Sequence, residues 1–477
     1  MILNYALTFV ERVNDNVGDA TMALRRALTK SILLMGLGWL IFAGFITGLI
    51  TGIVAIIFTE ILVYLERYSF FYLGIPYPGE TRIDISVLNK VAEGIEPYRI
   101  IVLYSLATLL NGLLVYLLAP EAQGHGTDAA VKAIHHKWGH TEPKIPPVKL
   151  ASSAIYVGLG GSAGSEGPLV QSGSGIGALI GSLLGADRYL RRILAIAGIG
   201  GAIGAAFRAP LGGSIFAIEV LYRRDYESEA FVPSLVAAIT GYTVYSVYTG
   251  FKPLFSLGGV HVKALDVAIA ALVGVLIVPV AYLYVKTFHY VHRVMSKLFP
   301  NLFVRILVGG LTAGIVAMII VYAEPISVLA LFGRGYEMVN VMVSVKLGIA
   351  VLLVSIIGKI LTSSLGVASG NSGGVFAPMI VIGALTGVLT GTIFADYLHV
   401  PVSSPAFYAV IGMSAMIAAA AKVPLTAIVM TSDMVGGNWM IPASGIASVV
   451  AYILSGMELT IYKSQLLNRY RSFVKPW

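Results

Sequence analysis

Glu166 is the residue best placed to do chemistry, a lone carboxylate inside the tract GLGGSAGSEGPLVQSGSGIGALIGSLLG of residues 158–185. Proline is tolerated only in the first turn of a helix, and the glycines ahead of Pro168 suit a non-helical entry. Gly164-Ser165-Glu166-Gly167-Pro168 therefore reads as a loop that becomes a helix N-terminus, with Glu166 beside unpaired backbone N–H groups. Those donors and the positive end of the helix dipole make an anion site. A tethered carboxylate competes with a free anion there: charged it occupies the site, protonated it leaves. One group can thus couple proton binding to anion access. The plainer alternative is a carboxylate that only caps its helix, but an ionisable side chain at membrane depth is functional by default.

Gly374-Val375-Phe376-Ala377-Pro378 repeats the design without the acid, offering the Val375 and Phe376 N–H groups at a second exposed N-terminus. Two such ends aimed at one point would hold an anion without a fixed cation and let it depart, as transport requires. In Gly124-His125-Gly126-Thr127-Asp128 the glycines allow close backbone approach to a ligand, and His125 offers a ring N–H or a titrating nitrogen. A helix stop at a membrane boundary fits these residues equally well. His136 and His140 have a metal-ligand spacing, but Gly139 and polar neighbours favour a solvated loop over a zinc site. Both glycine tracts contain G-x-S-x-G, around Ser162 and Ser372, the mark of a serine hydrolase. That chemistry needs a histidine base at membrane depth, and all eight histidines lie in polar stretches or at the ends of apolar runs.

The elements that carry these residues are membrane helices. The chain of 477 residues is 57% hydrophobic and 12% charged, with a mean hydropathy of +0.85, far from the composition of soluble domains. Continuous apolar runs near 31–63, 99–118, 191–221, 231–250, 265–285, 303–331, 342–362, 374–396, 406–431 and 440–461 predict ten or more helical segments rather than a barrel. The net charge of +8 gathers at the ends, in Arg12, Arg25, Arg26 and Lys30 and in Lys463, Arg469, Arg471 and Lys475. That pattern predicts cytoplasmic termini and an even number of crossings, and it has no nucleic-acid meaning. The absence of cysteine excludes disulfides, thiolate metal sites and cysteine nucleophiles. No cofactor is implied.

Three motif pairs recur in one order. Gly124-His125-Gly126-Thr127-Asp128 meets Gly333-Arg334-Gly335-Tyr336-Glu337 at an offset of 209 residues. Gly164 to Gly167 meets Gly370 to Gly373 at 206, together with the Ile-Gly-Ala-Leu runs 176–179 and 382–385. Arg208-Ala209-Pro210-Leu211 meets Lys422-Val423-Pro424-Leu425 at 214, with Glu219 opposite Asp433. Duplicated glycine-broken segments point to a substrate site at the membrane midplane. We divide the chain into an amphipathic cytoplasmic segment (1–30), a first repeat (31–240), a linker (241–262), a second repeat (263–462) and a short basic tail (463–477) that leaves no room for a regulatory domain.

Together these motifs resemble the CLC family of chloride channels and proton-coupled chloride transporters, over about residues 31–465. The family's G-R-E-G-P is similar to Gly164–Pro168, which makes Glu166 the external gating glutamate, and its G-x-F-x-P is similar to Gly374–Pro378. Its anion-coordinating tyrosine corresponds to Tyr462. The resemblance implies an all-α polytopic fold of two inverted repeats with broken, tilted helices, and a homodimer with one pathway in each subunit. Three departures stand out. His125 replaces the serine of G-S-G-I-P, Ser165 replaces the arginine of G-R-E-G-P, and Val220 stands where coupled members carry an internal proton-passing glutamate.

The function expected is transport of chloride or a similar small anion across the lipid bilayer, in the inner membrane of a prokaryote, by proton exchange gated at Glu166. Gly164, Ser165, Gly167, Gly374, Val375, Phe376, His125 and Tyr462 are the candidate anion ligands, and Glu219 is a possible inner acid. Val220 keeps open a passive anion channel, the serine motifs a remote hydrolase, and Glu166, Glu219 and Asp433 a cation-coupled carrier.

Overall fold

A computed structural model describes residues 19–75, 95–255 and 263–472, together with positions 77, 88, 90, 91 and 93. Among the described residues there are seventeen α-helices and no strand. The first half runs α1 (Asp19–Tyr72), α2 (Pro97–Leu118), α3 (Thr127–His136), α4 (Ile145–Gly158), α5 (Glu166–Leu183), α6 (Arg188–Ala206), α7 (Pro210–Glu219) and α8 (Phe231–Thr249). The second runs α9 (Ala264–Leu298), α10 (Leu302–Ala323), the short α11 (Val328–Leu331), α12 (Tyr336–Ser344), α13 (Ile349–Val367), α14 (Phe376–Thr392), α15 (Pro405–Ala421), α16 (Pro424–Val435) and α17 (Ile441–Leu454). Proline in the first two positions opens α2, α4, α7, α15, α16 and α17, where its missing N–H has no partner to lose.

Among the described residues, eight helices are long and apolar enough to cross a bilayer, and three shorter apolar helices lie in the C-terminal part. The expected ten or more segments thus resolve into long spans plus short pieces that do not cross alone. Outward-facing apolar side chains such as Phe42, Ile57, Leu117, Leu276 and Ile319 form the lipid-facing surface of an integral membrane protein.

Each half reproduces the other. α3, α4, α5, α7 and α8 have counterparts in α12, α13, α14, α16 and α17, and contacts between halves come in reversed pairs, as a two-fold pseudo-axis demands. Gly164 and Gly374 exchange backbone hydrogen bonds of 2.7 and 2.5 Å in an antiparallel bridge on that axis. The packing repeats too. A Cβ on Gly177 would lie 2.0 Å from the Leu194 carbonyl oxygen, and one on Gly387 would lie 1.9 Å from that of Tyr408. The α5/α6 and α14/α15 pairs therefore cross at backbone contact.

The structure corrects three boundaries. The glycine tracts align Gly160 with Gly370 and Gly164 with Gly374, an offset of 210 rather than 206, because α5 and α14 start at Glu166 and Phe376. Residues 19–30 belong to α1, a continuous helix of 54 residues and roughly 80 Å; they are not a separate interfacial element, and residues 1–18 lie outside the described residues. Positions 241–249 of the expected linker complete α8, while 256–262 lie outside the described residues, as do most of the loop between Gly74 and Pro97 and residues 473–477.

Candidate anion and proton site

The Gly124–Gly126 and Gly333–Gly335 turns are held from beneath by a pair of fully buried lysines. The Lys149 ammonium donates to the carbonyls of Ala122 (2.9 Å) and Gly124 (2.5 Å), and Lys359 donates to that of Gly333 (3.0 Å). A lysine in an apolar helix needs such partners. Here each fixes the entry of a short helix, α3 or α12. Gly126 has φ +85°, and a Cβ there would lie 2.7 Å from the Gly167 carbonyl oxygen, so the turn and the start of α5 are in backbone contact.

The Glu166 carboxylate does not hydrogen-bond its own helix. Oε2 accepts the Ala377 N–H across the axis (3.2 Å), and Oε1 accepts the hydroxyls of Tyr336 (2.7 Å) and Ser165 (3.1 Å). The side chain is 2% exposed. It therefore sits on the N-terminus of α14, where donors and dipole favour negative charge. A Cβ on Gly164 would stand 1.9 Å from Oε2, so glycine there makes room for the carboxylate. The donor is Ala377 rather than Val375 or Phe376; Val375 is the N-cap and Phe376 the first helical residue. The Phe376 ring packs on Phe207 and Phe216.

On the other side of this point lie His125 and Tyr462, both buried, with ring centroids 5.5 Å apart. Phe288 closes the group at 6.0 Å from His125. Nε2 of His125 lies 3.3 Å from Oδ2 of Asp128, and Nδ1 is buried without a hydrogen-bond partner. His125 opens onto a cavity of about 780 Å³, whose walls include Asp128, Lys132, His289, His292 and Lys463. The basic C-terminal segment forms part of this vestibule through Lys463.

The two further acids belong to the scaffold. Glu219 accepts the N–H groups of Leu425 (3.0 Å) and Thr426 (2.7 Å) and the Thr426 hydroxyl (2.6 Å), capping α16. Asp433 reciprocates by accepting the N–H groups of Leu211 (3.1 Å) and Gly212 (3.0 Å) at the start of α7. Both Glu219 oxygens and Oδ2 of Asp433 are thus engaged by helix N-termini. Val220 is fully buried in the apolar core. Ser162 and Ser372 hydrogen-bond Thr362 (3.0 Å) and Ser153 (2.7 Å), so neither is paired with an imidazole as a hydrolase requires. No cluster of three metal-ligating side chains occurs among the described residues, His136 and His140 included.

Outside the spans, the C-terminal segment is tied to the first half. Leu466 pairs with the backbone beside Tyr222, and Arg469 reaches Glu227 (3.2 Å) and Glu229 (2.6 Å). Burial alone would raise the Glu227 carboxyl, but the Arg192 guanidinium and the Tyr222 hydroxyl outweigh it and hold the group below the usual carboxylate range. His135 is fully buried, with Nε2 3.0 Å from the Leu221 carbonyl oxygen, and burial pushes its pKa down to about 4.

Sequence reasoning missed Tyr336, Ala377 and the lysine pair. Tyr336 was visible inside the second G-x-G motif, and Lys149 and Lys359 stand 210 residues apart, at the offset that the structure gives the glycine tracts.

Comparison with known proteins agrees with this architecture. A family model described as voltage gated chloride channel matches residues 107–456. An uncharacterized protein of Methanocaldococcus jannaschii is 30% identical over 348 residues, 72% of this chain and 82% of that protein. The H(+)/Cl(-) exchange transporter ClcA of Vibrio parahaemolyticus is 26% identical over 420 residues, 84% of this chain and 86% of its own. A solved slow cyanobacterial Cl-/H+ antiporter shares the fold, with a TM-score of 0.73 at 23% identity over 89% of this chain and 96% of that one. With two glycine-broken halves meeting at Gly164 and Gly374, and with a family match that spans both, the chain belongs to the CLC family of voltage gated chloride channels.

Proposed function

We propose that the protein exchanges chloride or a similar small anion for protons, with Glu166 as the gate. The observation that carries this reading is the Glu166 carboxylate on the α14 N-terminus, occupying a place suited to a free anion. Protonation removes its charge and weakens its hold on the Ala377 amide, which lets an anion compete for the same donor. Tyr462 and His125 line the inner end of the path, and the loop from Gly164 to Gly167 and the segment Gly374 to Phe376 form its walls. The related ClcA is named as a proton/chloride exchanger, which supports the coupled reading. The protein works as a homodimer in the inner membrane of a prokaryote, with both termini cytoplasmic.

Val220 favours a second reading, passive anion conduction, because an alkyl side chain in the apolar core relays no proton. Proteoliposomes with a steep chloride gradient, no pH gradient and a voltage opposing passive proton entry separate the two. Exchange drives protons uphill, and Glu166→Gln abolishes that movement while leaving an anion leak. Chloride flux without proton movement in the wild type would establish the passive reading instead.

A further inference from the structure

We propose that the His125–Asp128 pair is the inner proton station, doing from the vestibule wall what position 220 cannot do from the core. The inference rests on the exchange reading above. Three observations carry it. The first is that position 220 holds a buried alkyl side chain and that both oxygens of the neighbouring Glu219 are engaged by the N-terminus of α16. The second is the state of the His125 ring. Asp128 accepts from Nε2, which fixes the neutral tautomer with its hydrogen on that nitrogen and leaves Nδ1 as the vacant basic position. Nδ1 is buried and has no partner, whereas a histidine kept for structure would have both nitrogens engaged, as His135 does.

The third observation is placement. His125 borders the 780 Å³ cavity on one side and Tyr462 on the other. Its backbone oxygen is so close to the start of α5 that a Cβ on Gly167, the residue after Glu166, would lie 1.8 Å from it. The titratable and charged groups that share the cavity wall with the ring are Glu121 ahead of α3, Asp128 and Lys132 in α3, Lys137, His140 and Glu142 after it, His289 and His292 in α9, Arg305 in α10 and Lys463 after α17, and Tyr462 lies beside the ring itself. Of the three acids, Asp128 is the one within reach of the ring, at 3.3 Å from Nε2.

The step is a simple relay. A proton from the inner solution binds Nδ1, giving an imidazolium whose charge Asp128 balances. Nδ1 then releases it along the anion path toward the Glu166 carboxylate, and the ring returns to its neutral tautomer. No other bond forms or breaks. The imidazolium also presents an N–H to the path, so the anion and the proton meet at one side chain.

The test counts protons and chloride in the same proteoliposomes, under the opposing gradients described above, for the wild type, Glu166→Gln, His125→Ser, His125→Gln and Asp128→Asn. His125→Gln keeps an N–H donor but has no titratable nitrogen. Protons moved per chloride should fall about tenfold or more in both His125 variants, the scale of losing a positioned acid–base group, and should fall in Asp128→Asn. A wild-type ratio in both His125 variants would overturn the station and leave exchange standing. Absence of uphill proton movement in the wild type would overturn exchange and the station with it. Loss of chloride flux in both His125 variants, together with a wild-type ratio in Asp128→Asn, would assign His125 to the anion path alone and overturn the station.

Discussion

Gly164–Pro168 and Gly374–Pro378 trace the same path through opposite halves, meet in one antiparallel bridge and each start a glycine-rich helix. Where the first carries Glu166 the second carries Phe376. The acid reaches across the axis to the second helix, while the phenylalanine packs into the aromatic pair Phe207 and Phe216. The adjoining G-x-G turns differ in the same manner. Both stand on a buried lysine, but one presents His125 to the vestibule and the other presents Arg334 to Glu66, in a bidentate pair of 3.1 and 2.7 Å. What the halves share is scaffold: Lys149 with Lys359, Glu219 with Asp433. Of what they do not share, Glu166 and His125 lie on the proposed path. Residues that act on one substrate need not repeat, so breaks in the internal symmetry include them beside structural breaks such as Arg334 on Glu66.

The shared pair gives the largest expected effect. Glu219→Ala strands three donors at the α16 N-terminus, and Asp433→Ala strands two at that of α7. Both Thr426 donors are buried, whereas the Leu211 N–H is exposed, so at roughly 1–3 kcal/mol per stranded buried donor we expect losses of about 4 and about 1 kcal/mol. Thermal unfolding in detergent reads both. Intact stability in Glu219→Ala with loss of proton movement would break the division between scaffold and path.

His135 is an asymmetry on the scaffold side, since the corresponding position in the second half is Ser344. The folded state holds its pKa near 4 against an ordinary 6.5, because burial disfavours the charged ring. Between those values the unfolded chain binds a proton that the folded chain does not, so stability is complete above about pH 6.5 and falls on acidification toward pH 4. The full effect is about 3 kcal/mol. His135→Gln should flatten the pH dependence of unfolding in that window, and an unchanged slope would mean that His135 is not the group responsible.

A smaller effect is expected at the proposed gate. Tyr336→Phe removes one donor to the Glu166 carboxylate. A hydrogen bond to a charged group contributes about 2 kcal/mol, so the carboxylate should yield its place to anions roughly thirtyfold more readily. The apparent affinity for transported anion should rise accordingly in flux titrations. No change there would separate Tyr336 from the gate.

How much of this was legible in the sequence depended on what each feature needs. The two glycine tracts, the acid at 166 and the halves themselves follow from composition and motif order. The register did not, because a slip of four residues is close to one helical turn. In a helix lined by glycine and alanine such a slip returns small residues to the same face, so the Ile-Gly-Ala-Leu runs match at 206 while the backbones match at 210. Ala377 was not identifiable, since an amide donor leaves no trace in residue type. Glu219 looked like a candidate relay because its three partners belong to the other half, more than 200 residues away.

The smallest effect comes from a symmetric oddity. Arg208 and Lys422 hold equivalent positions before Pro210 and Pro424, and both are left-handed, with φ of 53° and 60°. Such a conformation costs a residue with a Cβ about 1 kcal/mol, which glycine avoids. Lys422 has compensation: it is buried, its ammonium donates to the Ser455 hydroxyl at 2.5 Å and it lies over the Tyr452 ring. Arg208 donates to the Lys252 and Pro253 carbonyls, both at 3.4 Å, and its guanidinium lies over the Tyr245 ring. Lys422→Gly, which removes a fully buried side chain and its hydrogen bond to Ser455, should therefore destabilise the protein more than Arg208→Gly, by about 1 kcal/mol. Equal responses at the two positions would show that the turn geometry alone, shared by both halves, decides the energetics, and that the different side-chain surroundings of Arg208 and Lys422 do not.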